Sequence, residues 1–136
     1  MAILTPPPTP ITLLPIAARS TDTSAAVQDN SAGYTGLILL LTLTTTPGFG
    51  HGVFPVLQGF DDLSGTWYDL WGAPANYLAT AGTYNFEAYP GAAQPATVPA
   101  TFGAAVAVRL PKTWRATVQH ADATSVSYGL AAVLLP

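Results

Sequence analysis

Apolar and polar residues alternate with a period of two along most of this chain. That is the spacing of a β-strand with one face in a core. In LILLLTLTTT (37–46), Leu37, Leu39, Leu41 and Leu43 share one face, and Ile38, Leu40, Thr42 and Thr44 the other. The pattern predicts a strand buried on one face throughout and on both faces at its start. In VFPVLQGFDD (53–62), Phe54, Val56, Gln58 and Phe60 fall together, and Pro55 argues for an edge or a bulge. TWYDLW (66–71) sets Trp67, Asp69 and Trp71 against Thr66, Tyr68 and Leu70. NYLAT (76–80) and TYNFEAY (83–89) are further candidates; the second points Tyr84, Phe86 and Ala88 one way. The last third reads as three strands: AAVAVRL (104–110), TWRATVQH (113–120) and SVSYGLAAVLL (125–135). In the last, Val126, Tyr128, Leu130, Ala132 and Leu134 form one apolar face.

Punctuation between these runs comes from Gly, Pro, Asn and Asp, as turns require. PGFGHG (47–52) and PGAAQPATVPATFG (90–103) read as loops. ITLLPIAAR (11–19) is extended and broken by Pro15, which suggests an edge strand, and a short strand is expected within 24–36. No segment carries a 3.6-residue period with caps. About eight strands with such turns predict an all-β fold, a single antiparallel sandwich or barrel-like domain over 21–136. Residues 1–20 form a proline-rich arm and the first strand. TPPPTP (5–10) favours extended polyproline II, which reaches about 3.1 Å per residue.

Composition narrows the function. Charged residues make up 8% of 136, against roughly 25% in a typical soluble domain. Arg19, Arg109, Lys112 and Arg115 are the four cations, and the net charge is −3. Four scattered cations cannot build the basic stripe a nucleic-acid partner requires. A surface with so little like-charge repulsion points to a protein that packs against other proteins. With no cysteine, disulfides, thiolate metal sites and a Cys nucleophile are excluded. Residues 1–10 lack the basic and apolar regions of a signal peptide, and Leu37–Leu41 is too short to cross a bilayer.

The densest stretch for chemistry is QGFDDLSGTWYDLW (58–71), with Asp61, Asp62 and Asp69. DDLSG between two strand patterns reads as a hairpin loop, because Asp and Ser bond nearby N–H groups and Gly accepts positive φ. Its spacing does not match an EF-hand loop. Adjacent Asp61 and Asp62 at a tip lack the rigid separation that acid–base pairs need. Trp67, Tyr68 and Trp71 are either core or a sugar-stacking platform. His120 and Asp122 offer a His–Asp pair for a small hydrolase, but no Gly-x-Ser-x-Gly elbow accompanies them. His51 sits in the Gly-rich loop. No catalytic, cofactor or metal residue is assigned. Arg109 and Arg115 are expected in strands, with Arg115 and Trp114 as candidate partner contacts.

The segments ITLLPIAARSTDTSAAVQDN, LILLLTLT, VFPVLQGFDDLSGTWYDL and KTWRATVQHADATSVSYGLAAVLL, in this order, resemble small β-rich virion proteins of tailed bacteriophages. Some of these decorate or cement the capsid. The likeness covers 11–89 and 103–136 and is one of strand and turn residues, not of a catalytic signature. It implies a capsid decoration protein, often a trimer, made in the host cytoplasm and seated on the outer surface of the major capsid protein. The candidate contacts are then Pro6, Pro7 and Pro8 of the arm, Ile11 and Leu13 of the first strand, and Trp114 and Arg115. The rival readings are another virion role in tail, connector or head fibre, a carbohydrate-binding module, and a small hydrolase.

Overall fold

A computed structural model describes residues 10–71, 77–91 and 105–136. Among them are ten strands and no helix: β1 (Ile11–Arg19), β2 (Thr23–Ser24), β3 (Gln28–Asp29), β4 (Gly36–Leu43), β5 (Val53–Asp61), β6 (Thr66–Trp71), β7 (Gly82–Ala88), β8 (Ala105–Val106), β9 (Thr113–His120) and β10 (Val126–Leu135). They form two sheets packed as a β-sandwich. Sheet A runs β1-β10-β4-β7-β8, and sheet B runs β2-β9-β5-β6, with β3 also on β9. All pairings are antiparallel except β7 with β8.

The period-two faces become the two walls of the core. Leu37, Leu39, Leu41 and Leu43 of β4 lie beside Phe86 and Ala88 of β7 and Tyr128, Leu130 and Ala132 of β10, all buried. From sheet B, Trp114, Ala116 and Val118 of β9 and Val53 and Leu57 of β5 complete it. Phe54 meets Phe86 edge to face between the sheets, with ring centroids 5.5 Å apart. Such a T-shaped pair sets the positive edge of one ring on the negative face of the other.

Pro15 lies in β1, an edge strand of sheet A among the described residues, and two register shifts accompany it. Pro55 is accommodated differently, because β5 is flanked by β9 and β6. Val53 turns its N–H and C=O away from β9 and exchanges hydrogen bonds with Leu78 (3.0 and 2.8 Å). Pro55 has the same parity, so its missing N–H faces the side where the β6 pairing has ended, at Leu57↔Trp71. A bulge sits at that point. The edge that proline demands is local here.

Two expected strands are shorter than their patterns suggest. Within 76–80, Leu78 forms an isolated bridge to Val53 instead of a strand. Among the described residues of AAVAVRL only Ala105–Val106 form a strand, and the N–H of Leu110 bonds the carbonyl of Thr35 in a loop (2.9 Å) and not a ladder. The apolar character of Leu110 reflects burial, which a coil can also provide. The loop 90–103 and the arm 1–9 fall outside the described residues, except that residues 90 and 91 are described.

Candidate interaction surface

From Leu57 onward the register of sheet B gives β5 and the facing part of β9 a core side and an outer side, whereas Phe54 and Val56, of the same parity as Gln58, are both buried. Gln58 pairs with Arg115 and with Asp69, and Phe60 pairs with Trp67. Directly opposed residues share a face. These five side chains therefore stand together on the outer face, opposite Trp114 and Leu57.

They form one connected patch. The guanidinium of Arg115 lies 4.2 Å from the centre of the Trp67 ring. Its Nε donates to Gln58 Oε1 at 2.8 Å, and Gln58 Nε2 donates to Asp69 Oδ1 at 2.8 Å. Thr117 Oγ1 adds a weaker bond to Gln58 Oε1 at 3.3 Å. Phe60 leans on Trp67 with centroids 5.0 Å apart. A cation on a tryptophan face is held by the ring quadrupole, and the Nε bond fixes rotation of the fork. The two terminal nitrogens of Arg115 have no partner among the described residues. They are presented, oriented, on the outer face.

The patch continues to the β5–β6 hairpin tip. Asp61 closes the turn: its Oδ1 accepts from the N–H of Leu63 (3.0 Å) and its Oδ2 from the hydroxyl of Ser64 (2.8 Å). The Ser64 bond, then that of Leu63, holds the Asp61 carboxyl below the usual carboxylate range. Gly65, at φ 69°, makes the left-handed step and donates to the Asp61 carbonyl (2.8 Å). The hairpin reading of DDLSG is thus met in its hydrogen bonds. Asp62 takes no part in them, and its neighbour Leu63 is 99% exposed.

The remaining sequence candidates are distributed as follows. Trp114 is 1% exposed and faces the core, so the partner contact expected of it is unavailable on this surface. Only its neighbour Arg115 faces outward, since successive strand residues alternate. Arg109 is exposed on a coil after β8 and not in a strand. Ile11 and Leu13 are half-buried against the chain's own core. Pro6, Pro7 and Pro8 lie outside the described residues.

Trp67 and Tyr68, of the sugar platform that the sequence also allowed, do not share a face. Arg115 covers the Trp67 ring, and Tyr68 lies opposite Gly59 on the other side of the sheet. The His120–Asp122 pair of the rival hydrolase reading is also not formed. Asp122 bonds His51 Nδ1, and the N–H of Thr124 donates to Asp122 Oδ1 (2.9 Å). Those contacts, with Thr124 first and His51 next, bring the Asp122 pKa to about 2. Thr124 Oγ1 lies 3.3 Å from the same His51 Nδ1. A proton relay needs hydroxyl and carboxylate on opposite ring nitrogens, so this cluster is a loop clasp. His120 instead bonds the Tyr128 hydroxyl through Nε2 (2.9 Å), while its Nδ1 is buried without a partner. Its backbone N–H donates to Asp22 Oδ1 (2.7 Å). Among the described residues no three His, Cys, Asp or Glu side chains gather as metal ligands.

Sequence reasoning placed Gln58, Phe60, Trp67 and Asp69 on strand faces by parity but did not join them to Arg115. Alternation along each strand carries that much. The register between β5, β6 and β9 is what joins them, and no short-range signal encodes the β5–β9 pairing. The chain matches no protein-family model and no curated protein sequence.

Proposed function

We propose that this chain is a structural adhesion module of a virus particle, a capsid decoration protein that binds the outer surface of a major capsid protein shell and stabilises it. The observation that carries this reading is the outer face of sheet B. In a chain with four cations, one builds an oriented guanidinium over Trp67, which in turn packs on Phe60, on the outer face of a sheet. Flat mixed faces with an Arg and aromatic centre are the make-up of protein contact hot spots. The resemblance to phage virion proteins supplies the kind of partner.

Each contact need not be strong. Apolar burial returns about 25 cal/mol per Å², and association costs roughly 4–15 kcal/mol. Multivalent seating on a repeating lattice raises the effective concentration of the later contacts, so modest single interfaces suffice. Low charge suits this work because it removes repulsion between closely spaced copies.

The test is co-sedimentation of the full chain with emptied heads of the phage that encodes it, followed by imaging of the particles. The expected result is saturable binding at regular lattice positions, weakened by Arg115→Ala. Failure to bind heads, or density confined to the tail, overturns the reading.

A further inference from the structure

We infer that residues 4–8 of the proline-rich arm turn back onto the chain's own sheet A and fill an apolar trough on its outer face. The inference does not depend on the adhesive reading above, which concerns sheet B. It assigns the arm to its own chain instead of to a neighbour. One end of the outer face of sheet A is apolar, no described strand packs over it, and the arm enters β1 beside it.

The trough follows from what three neighbouring strands turn outward. Thr12 pairs with Ala131, Ala131 with Leu40, and Gly129 with Thr42. Opposed residues share a face, so Gly129 and Ala131 make a low floor on β10 between higher walls on β1 and β4. Ile16 overhangs the Gly129 end: a Cβ on that glycine would come within 2.7 Å of the Ile16 side chain. Ile16 is itself 61% exposed. The groove encloses about 490 Å³, and among the described residues no charged side chain lines it.

The apolar character of this face is confined to one end. Along β4 it presents Ile38 and Leu40 and then Thr42; across them β10 presents Val133 and Ala131 and then Gly129. Alternation predicts burial of β4 on both faces at its start, yet Ile38, Leu40 and Val133 are only half-buried. A sheet face set against water normally carries polar residues there. That end is where β1 begins, since Ile11 pairs with Ala132 and Thr12 with Ala131. The nine residues before Pro10 match it in chemistry: they hold Ile3, Leu4, Pro6, Pro7 and Pro8 and no charged side chain.

The lengths agree as well. From Thr12 to Ile16 the trough runs about 13 Å at 3.3 Å per residue. Five residues of polyproline II span about 15 Å at 3.1 Å each. A reversal at Thr9 and Pro10 then sets Pro8 over Ala131 and Leu40, and Leu4 near Ile16 and Gly129. Proline loses little freedom on docking, because its φ is already fixed. The contact is intramolecular, and a short tether holds the arm at an effective concentration on the order of millimolar. A buried area too small to join two separate chains is therefore sufficient.

The chain has no cysteine, so Ala2→Cys places a single nitroxide label on the full-length protein. Paramagnetic broadening of methyl NMR signals then reads which surface the arm occupies. The expected result is loss of most of the Ile16, Leu40 and Ala131 intensity, while Leu63 on the β5–β6 turn keeps its own. An arm extended away from β1 would set position 2 about 28 Å from Ile11 and broaden none of the three. Ala131→Arg fills the floor of the trough and should abolish the broadening. Leu4→Ser combined with Pro7→Ser should abolish it from within the arm, so the test stands even where Ala131→Arg unfolds the chain. In a mixture of isotope-labelled chain without nitroxide and unlabelled chain with it, the three signals should stay sharp. No broadening in the single species, broadening in the mixture through exchange of arms between copies, or broadening that survives the arm substitutions overturns the inference. Head binding does not enter the measurement, so failure here leaves the proposed function standing.

Discussion

Truncating Trp114 and its neighbour Arg115 in turn separates core from contact surface. A tryptophan buries roughly 150–250 Å². At about 25 cal/mol per Å² that is about 4–6 kcal/mol of transfer free energy. Trp114 is 1% exposed between Ala116, Leu57 and the facing sheet, so little of the cavity can collapse. Trp114→Ala should cost about 3–5 kcal/mol, a large share of the roughly 5–15 kcal/mol that holds a domain together. Should that variant fail to fold, Trp114→Phe reads the same site at about 1–2 kcal/mol. Arg115→Ala removes a part-exposed stack and one charged hydrogen bond, at about 1 kcal/mol or less. The assay is urea unfolding followed by circular dichroism, with m-values compared to confirm a common transition. The function readout should run in the opposite order: Trp114→Phe keeps head binding, and Arg115→Ala weakens it. A cost below about 1 kcal/mol for Trp114→Ala, or equal costs for the two truncations, would refute the assignment of faces in β9.

Further substitutions test other parts of the sandwich. A Cβ on Gly52 would lie 2.1 Å from the Leu78 carbonyl oxygen, so Gly52→Ala must move backbone and should cost about 1–3 kcal/mol. A Cβ on Gly59 meets mainly the outer end of the exposed Tyr68 ring at 2.6 Å, so Gly59→Ala should cost clearly less in the same urea titration. His120 is held below its ordinary pKa, chiefly by burial. Its neutral form is favoured in the fold, so stability is full above about pH 6.5 and declines as pH falls below it. His120→Gln should flatten that decline in thermal melts. Asp122, lowered to about 2, contributes stability above about pH 4 that is lost toward pH 2, and Asp122→Asn should remove this second step. Arg19→Lys loses the fork that spans the Tyr128 and Pro15 carbonyls, at about 1–2 kcal/mol of unfolding free energy.

The all-β sandwich and its core faces were legible because alternation is a local property. Leu37 to Leu43 and Val126 to Ala132 carry their burial in their own spacing. The turn at Asp61–Gly65 was legible for the same reason, since its bonds close within five residues. What was hidden depends on partners far away. The parity of His120 and Asp122 suggested a pair, but His51, brought in by the loop between β4 and β5, takes the carboxylate. Trp114 and Arg115 looked alike as contact residues until the Gly59↔Trp114 and Gln58↔Arg115 register assigned one to each side. The β5–β6 hairpin is the one sheet B pair joined by a short turn; β9 reaches β5 from beyond position 112. Pairing of that kind leaves no local trace.

The edges of the two sheets explain why association would use a face. An exposed strand edge offers unpaired N–H and C=O groups to any neighbour, and charged residues, prolines or bulges usually guard it. With 8% charged residues this chain has few charges to place there. It uses geometry instead. β1, at the edge of sheet A, carries Pro15 and two register shifts, so no long straight run of donors remains. β6, at the edge of sheet B, has a bulge beside Leu57 and presents Asp69. Edge-to-edge growth, which has no natural end, is thereby discouraged. A protein that must crowd onto a lattice at high local concentration without forming fibres needs that combination, a low-charge body with interrupted edges and one ordered patch on a sheet face.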